Sequence, residues 1–414
     1  MSRPKPDTVL IVGGGVIGLT VAHAALTRGL GVEVVDAGPD RCSASRGNAG
    51  QVAPGHPPVP SPSVPPRALQ MLLDPRSPLS IPPRPSLPLL RWLLAFRAAC
   101  RPSAYERSMR VLGAFGVLSR DCLDRLVSDL GSAAPGMAAG VADIWNTPRG
   151  EAEAEAETAW MQRLGFATEH LDGAALRRQD PAWGPGVRGA CVHADGLSFD
   201  PAAFCDALRL CISDAGGRFR SRFKMKTLRR DSTGWTARAA SGAVASGQRL
   251  IVAAGVWSAP IVAPLGVNLR IQAAKGYHVH VTLPTRPRMA GVLRERKIAV
   301  TPLGTGVRLA GTLELSGINH RLVPHRIEQL TRGAAEFLPQ VGAATPTDHW
   351  CGLRPCTANG LPVVGRLPAR DAWVATGHGM MGLTLAAGTA ELLVSDMLGG
   401  PIPPWAQDLR PLSR

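Results

Sequence analysis

The stretch VLIVGGGVIGLTVAHAAL, from Val9 to Leu26, carries no fixed charge and limits the possible folds more than any other part of the chain. By apolar length alone it fits a membrane span, which needs about twenty such residues, or a somewhat shorter secretory core. Glycine placement points elsewhere. Val9 to Val12 reads as a short buried strand, and Gly13, Gly15 and Gly18 follow in G-x-G-x-x-G spacing ahead of a helical run to Arg28. After Gly29 a second strand, Val32 to Val35, ends on Asp36, 18 residues past Gly18. An acid at about that separation can accept a hydrogen bond from an adenosine ribose. The three glycines then serve separate purposes, namely a tight turn, backbone approach to a pyrophosphate, and close packing of helix on strand. The phosphates would rest on the helix N-terminus, where unpaired N–H groups and the dipole favour negative charge. A buried βαβ unit without a ligand is the plain alternative, but strand, turn, helix, strand and acid arrive in the order that a full nucleotide unit requires. No small-residue cleavage site follows the run, so export is not expected.

A chain of 414 residues suggests two domains or one large composite. Its 46 Lys and Arg against 31 Asp and Glu leave a charge of +15. Such a surplus suits a dinucleotide, a carboxylate substrate, an acidic membrane surface or nucleic acid, and arginine-rich codon usage produces it equally well. Nucleic-acid binding calls for clustered cations with stacking aromatics, whereas aromatics are 5% of residues and the basic ones are scattered, so no nucleic acid is expected. The cysteines Cys42, Cys100, Cys122, Cys191, Cys205, Cys211, Cys351 and Cys356 show no C-x-x-C pair and no zinc pattern with histidine. They read as reduced thiols of a cytoplasmic protein, with no metal.

Thirteen prolines between Pro54 and Pro88 rule out a long helix or a central strand there. PLLRWLLAFRAAC, from Pro88 to Cys100, is too short to cross a bilayer. It reads as a core helix of a cap domain or as a helix lying on an anionic membrane surface. Residues 104 to 131 look helical, and EAEAEAET at 151 to 158 reads as a solvated acidic helix face without chemistry. Asp200 caps a helix that begins at Pro201, and a strand around Arg222 to Leu228 should follow it. Arg249 to Ser258, RLIVAAGVWS, is a further apolar strand broken at Gly255.

Near the end the opening pattern returns in part. Ala372 to Leu398 gives a strand, then Gly377, Gly379 and Gly382 in the same spacing, then a helix, with no second strand or ribose acid after it. That excludes a second complete dinucleotide site. A glycine-flanked helix start still offers N–H donors and a positive dipole. With FAD as cofactor and its ADP half on Gly13 to Gly18, this second helix could face the flavin and stabilise the charge that reduced flavin carries near N1. The alternative is that these glycines only permit close packing.

Together VLIVGGGVIGLTVAHAALTRG, SRGNAGQVAPG, LIVAAGVWS, CGLRPCTANGLPVVG and VATGHGMMGLTLAAG resemble the FAD-dependent D-amino acid oxidase superfamily over nearly the whole chain. The likeness is strongest to its bacterial D-amino acid dehydrogenase branch. The resemblance implies an α/β fold: a Rossmann-like FAD-binding domain over 1–55, 196–268 and 350–414, and a second, α+β substrate domain over 56–195 and 269–349 built around a mostly antiparallel sheet. It implies that Gly13, Gly15, Val16, Ile17, Gly18, Asp36 and Ala37 hold the ADP moiety. Ser45, Arg46, Gly47, Asn48, Ala49, Gly50 and Gln51 match the loop passing the pyrophosphate and flavin. Ala254, Gly255 and Trp257 match the glycine-ended strand, and Gly377, His378, Gly379, Met380, Met381, Gly382 and Leu383 match the flavin-facing helix start. Arg354 matches the arginine that clamps the substrate carboxylate.

The sequence departs from the pattern where VAAG replaces the commoner ATG and around Arg46, which is more basic than usual. Neither Cys351 nor Cys356 aligns with the cysteine that binds flavin in some relatives, so non-covalent FAD is expected. Tyr277 could hold the carboxylate or amine, or be a strand aromatic; His378 could bond flavin or substrate, or be a cap. His278 and His280 share one strand face, which could be merely solvated. The expected reaction is oxidation of the C–N bond of a D-amino acid or a cyclic imino acid such as D-proline or hydroxyproline. Flavin N5 would accept the hydride, and a quinone or carrier protein the electrons. An O₂-using glycine or sarcosine oxidase and a tRNA-modifying flavin domain are the alternatives. A peripheral contact with the inner face of the membrane stays open.

Overall fold

The computed structural model describes residues 7–38, 43–57, 59–74, 77–83 and 85–411; Cys42 lies outside them. Strand Thr8–Val12 sits inside a six-stranded sheet ordered Val363–Arg366, Ala372–Thr376, Arg249–Val252, Thr8–Val12, Gly31–Val35, Arg218–Arg220. All pairings are parallel except the first. Its apolar strands are covered on both sides, which is why they read as continuous hydrophobic runs rather than alternating ones. Val9 and Ile11 meet one layer, and Leu10 and Val12, facing the other way, meet a second.

The first layer holds helices Val16–Thr27, Pro201–Asp214, Gly382–Met397 and Pro102–Leu130. The second is a three-stranded antiparallel sheet of Met225–Asp231, Gly234–Ala239 and Val244–Gly247, through Trp235 and Ala237. The membrane-like character of the opening stretch is therefore that of a core helix buried around most of its circumference. Among the described residues no helix is long and apolar enough to cross a membrane.

A larger, mostly antiparallel sheet of ten strands forms the second body. Its main path runs Pro346–Thr357, Ile271–Thr282, Gly306–Glu314, Ile298–Leu303, Ala290–Leu293, Ala138–Trp145, Gly189–Ser198, Gln51–Val52. Only Ala290–Leu293 with Ala138–Trp145, and Leu79–Ser80 with Gly306–Glu314, pair in parallel.

Three sequence expectations shift. Helix Pro102–Leu130, assigned by sequence to the 56–195 segment, buries Leu112, Phe115 and Leu123 in the core of the parallel sheet. Its Ser119 hydroxyl donates to Thr384 O at 2.7 Å, locking it against the C-terminal helix. Strand Gln51–Val52, within the segment 1–55 expected for the FAD-binding domain, joins the large sheet, and strand Pro346–Thr357 of that sheet crosses the expected boundary at 350. The strand expected at Arg222 to Leu228 is Met225–Asp231, preceded by the short edge strand Arg218–Arg220. The cap at Asp200 forms as read, accepting from Ala202 N at 2.8 Å. Within the proline-rich segment, described elements are limited to short turns, helix Ala68–Leu73 and strand Leu79–Ser80.

Candidate functional site

The two glycine turns open on the same cavity, about 1650 Å³, between the parallel sheet and the large sheet. Gly13, Gly15, Val16, Ile17, Asp36 and Ala37 line it, as do Ser45, Asn48, Ala49 and Gln51 from the following loop. At Gly13, φ is +117° and an added Cβ would lie 2.4 Å from Ala253 O. At Gly18 it would lie 1.9 Å from Gly13 O, so this glycine serves packing and does not itself line the cavity. Helix Val16–Thr27 has no cap from its own N-terminal residue; the hydroxyl of Ser45 accepts Val16 N at 2.9 Å instead. Asp36 accepts Gly14 N at 2.5 Å and Gly38 N at 2.7 Å, which fixes its carboxylate at the cavity wall.

Two loop residues fall outside the cavity lining. Arg46 turns to Asp206, making paired bonds of 2.6 and 2.8 Å. Gly50, at φ +85°, has Phe199 O where a side chain would go, 2.4 Å from an ideal Cβ. Asn48 accepts Gly50 N through Oδ1 at 2.9 Å, and Gln51 Nε2 donates to Gly291 O and Val300 O, so both side chains shape the loop.

From neighbouring strands of the same sheet, Ala254, Gly255, Trp257 and the whole turn Gly377 to Leu383, with its Met380, Met381 and Gly379, also line the cavity. Helix Gly382–Met397 has no side-chain cap and no acid in its first turn, so its N–H groups and positive dipole end face the cavity uncompensated. His378 is buried and donates from Nε2 to Thr389 Oγ1 at 2.9 Å, because the Thr389 hydroxyl spends its own proton on Leu385 O. Burial lowers its pKa to about 3, so the ring is neutral.

The large sheet supplies Arg354 and Tyr277 to the same cavity. Arg354 donates to Thr312 O at 2.6 Å and Gly311 O at 3.5 Å. Among the described residues it has no acidic partner, and desolvation lowers its pKa. Gly276 makes room for it: a Cβ there would lie 2.3 Å from the guanidinium carbon. Tyr277 is placed on the expected strand, but its hydroxyl donates to Glu314 at 2.7 Å, and Glu314 in turn pairs with buried Lys275 at 2.9 Å. The phenol is therefore a buried wall whose polar end is already engaged. His278 is not solvated; it is 2% exposed, stacks on Trp350 and bonds Gly47 O at 2.9 Å. Burial lowers its pKa to about 4. His280, two residues along the same strand, is half-buried.

The profile of the FAD dependent oxidoreductase family matches residues 8–395. The chain belongs to that family. A D-amino acid dehydrogenase of Cereibacter sphaeroides is 32% identical over 407 residues, covering 95% of this chain and 92% of the relative. Glycine oxidase from Geobacillus kaustophilus superposes with a TM-score of 0.76 at 20% identity over 99% of both chains. L-Proline dehydrogenase from P. horikoshii gives 0.74 at 13% identity, covering 99% of this chain and 98% of the other. The protein is an FAD-dependent dehydrogenase with a Rossmann-like FAD domain and a second domain. Its cavity suits that cofactor, since backbone N–H groups at two helix starts and two obligatory glycine turns meet in one space long enough to reach both sheets.

Sequence reasoning missed a second polar group in this family member's cavity. Asp143, His193 and Arg294, all buried, come from two strands and the residue after a third. Asp143 Oδ2 lies 3.1 Å from both His193 Nε2 and Arg294 Nη1, and Glu157 is 2.7 Å from Arg294. The acidic repeat at 151 to 158 is therefore not wholly solvated: Glu153 and Glu157 face the cavity, pairing with Arg67 and Arg294, because helix Pro148–Arg163 presents that side to it. The sequence signal was Asp143 in an otherwise apolar strand, His193 near Asp195 in a second and Arg294 just past a third, too weak to join residues separated by up to 151 positions.

Proposed function

We propose that this FAD-dependent dehydrogenase oxidises the C–N bond of a D-amino acid or cyclic imino acid, such as D-proline or hydroxyproline, and delivers the electrons to a quinone or carrier protein. The supporting observation is Arg354: a half-buried guanidinium, held by two carbonyls and lacking an acid among the described residues, in the cavity shared with the uncapped helix start at Gly382. Leaving a cation that is partly withdrawn from water without a counter-ion is costly. A substrate carboxylate supplies one, gripped by parallel N–H bonds that also fix the Cα–H direction. Bound FAD supplies the acceptor for the electron pair leaving the substrate.

The chain's own titratable groups near Arg354 are poor bases. Burial pushes the Cys356 thiol up to about 11 and the Tyr277 phenol higher still, and His378 is neutral with Nε2 engaged. The amine therefore enters already deprotonated. The same protonated thiol suits non-covalent FAD, released intact by acid precipitation. FAD then rests on the parallel-sheet unit and the substrate on the large sheet.

Helix Leu87–Ala99 supports a lipid-soluble acceptor. It buries Trp92 against the substrate sheet, with Nε1 donating to Cys356 O at 3.0 Å. It exposes Leu87, Leu90 and Leu94 beside exposed Arg91 and Arg97. An apolar stripe flanked by arginines fits the inner face of an anionic membrane. Anaerobic bleaching of the flavin absorbance by a panel of D- and L-amino acids tests the reaction. Bleaching by D-amino or imino acids, slow return under air and fast return with a soluble quinone are expected. Stoichiometric peroxide under air would assign the oxidase chemistry instead, and no bleaching by any member would overturn the reading.

A further inference from the structure

The polar group around Asp143 is not needed by any step above. Arg354 lies over the third strand of the large sheet, Gly306–Glu314, since its guanidinium bonds Thr312 O. From there Ala310, Ala299, Val292 and Asp143 follow in register across successive strands, and all four line the cavity. Three strand spacings of about 4.8 Å separate the two ends of this row. Its middle is made of short side chains, which leaves room for a ligand above it. Arg294, one residue past its strand, extends into the far end.

The far end is incompletely satisfied. His193 gives its Nε2 to Asp143, so Nδ1 is left as an acceptor, and it is buried with no partner among the described residues. Arg294 uses Nη1 on both carboxylates, while Nε and Nη2, the two atoms of its side-on fork, are buried and unpartnered among the described residues. An unmade hydrogen bond on a buried group costs about 1 to 3 kcal/mol. The missing complement must therefore bring both an acceptor and a donor. An anion is disfavoured, because Asp143 and Glu157 already outnumber Arg294, and a cation would meet the unpaired fork of an arginine. What fits is a neutral group of both kinds: a hydroxyl or a carboxamide.

We propose that Asp143, His193 and Arg294 form a specificity pocket for a neutral hydroxyl or carboxamide on the substrate, opposite the carboxylate clamp at Arg354. The pocket rests on the amino acid oxidation reading and adds to it the class of side chain that is preferred. His193 and Arg294 contact the polar group; Asp143 and Glu157 position them.

Steady-state kcat/KM of the holoenzyme on matched pairs long enough to span the row tests this: D-citrulline against D-norleucine, and D-tyrosine against D-phenylalanine. The polar member of at least one pair should be favoured ten-fold or more, and which pair responds tells amide from hydroxyl. In His193→Gln the bond to Asp143 can persist while the Nδ1 acceptor is lost. That variant should lose most of the preference, read as the ratio of kcat/KM between the two members, with the melting temperature and flavin content retained. Arg294→Lys, which keeps the charge facing both carboxylates but removes the fork, should do the same. Equal rates on both members in the wild type, or a preference that survives in both variants, overturns the pocket while leaving the oxidation reading intact. Failure of the whole amino acid panel to reduce the flavin overturns both.

Discussion

The two walls of the cavity are made in different ways. The parallel-sheet wall is built from main chain: N–H groups of Val16 and of the turn before Gly382, positioned by glycines that tolerate positive φ or close approach. The large-sheet wall is built from side chains that arrive from strands far apart in sequence, Arg354 and Tyr277 on one part and Asp143, His193 and Arg294 on another. A main-chain site tolerates many side chains but no Cβ at certain points. A side-chain site tolerates backbone variation but depends on a few buried charges being matched.

That contrast can be broken most forcefully at Gly18. With 1.9 Å between an added Cβ and Gly13 O, Gly18→Ala should cost more than about 4 kcal/mol and yield protein without flavin, read from the ratio of visible to ultraviolet absorbance. Retained FAD at wild-type stability would show that the turn is not held by close packing.

On the other wall, Glu314→Ala strands the buried Lys275 ammonium and removes the acceptor of Tyr277. The expected loss is about 3 to 5 kcal/mol by chemical denaturation. Glu391→Ala, which removes a partly exposed partner of Arg28, should stay within about 1 kcal/mol. Equal effects of the two would mean that burial does not distinguish them.

A smaller effect follows from the buried histidines. Burial lowers His278 to about 4 and His378 to about 3, below the unfolded value of 6.5. Between these values the unfolded chain binds more protons, so their contribution is complete above pH 6.5 and is lost as the pH falls through the folded values. The melting temperature should decline from about pH 7 towards about pH 4, and His278→Gln should flatten that slope. A slope unaltered by that substitution would place its origin elsewhere.

Smallest is Ser45→Ala, which removes a helix cap contributed by a residue 29 positions away. About 1 kcal/mol and a modest loss of FAD affinity are expected by thermal melting with added FAD.

The same contrast explains what could be read from the chain. Gly13, Gly18 and Asp36 were legible because a backbone site leaves its mark within one βαβ unit, in spacing that few other structures need. Arg354 was legible only through the GLRP resemblance, since an arginine on a strand looks the same whether paired or not. The engagement of Tyr277 by Glu314 depends on strand pairing with a shifted register, which local pattern does not encode. Helix Pro102–Leu130 was placed with the wrong body because amphipathic periodicity says that a face is buried, not against what. The acidic repeat misled for a related reason: alternating glutamates look solvated, yet Glu157 meets an arginine 137 residues later.

The carboxylate clamp proposed at Arg354 is tested most directly by titrating the oxidised holoenzyme with a carboxylate that lacks the amine, such as a 2-hydroxy acid, and following the flavin spectrum. Two charge-assisted bonds contribute about 3 kcal/mol together. The Kd of Arg354→Met should therefore rise about 100-fold with flavin content unchanged. An equal Kd in wild type and variant would contradict the clamp.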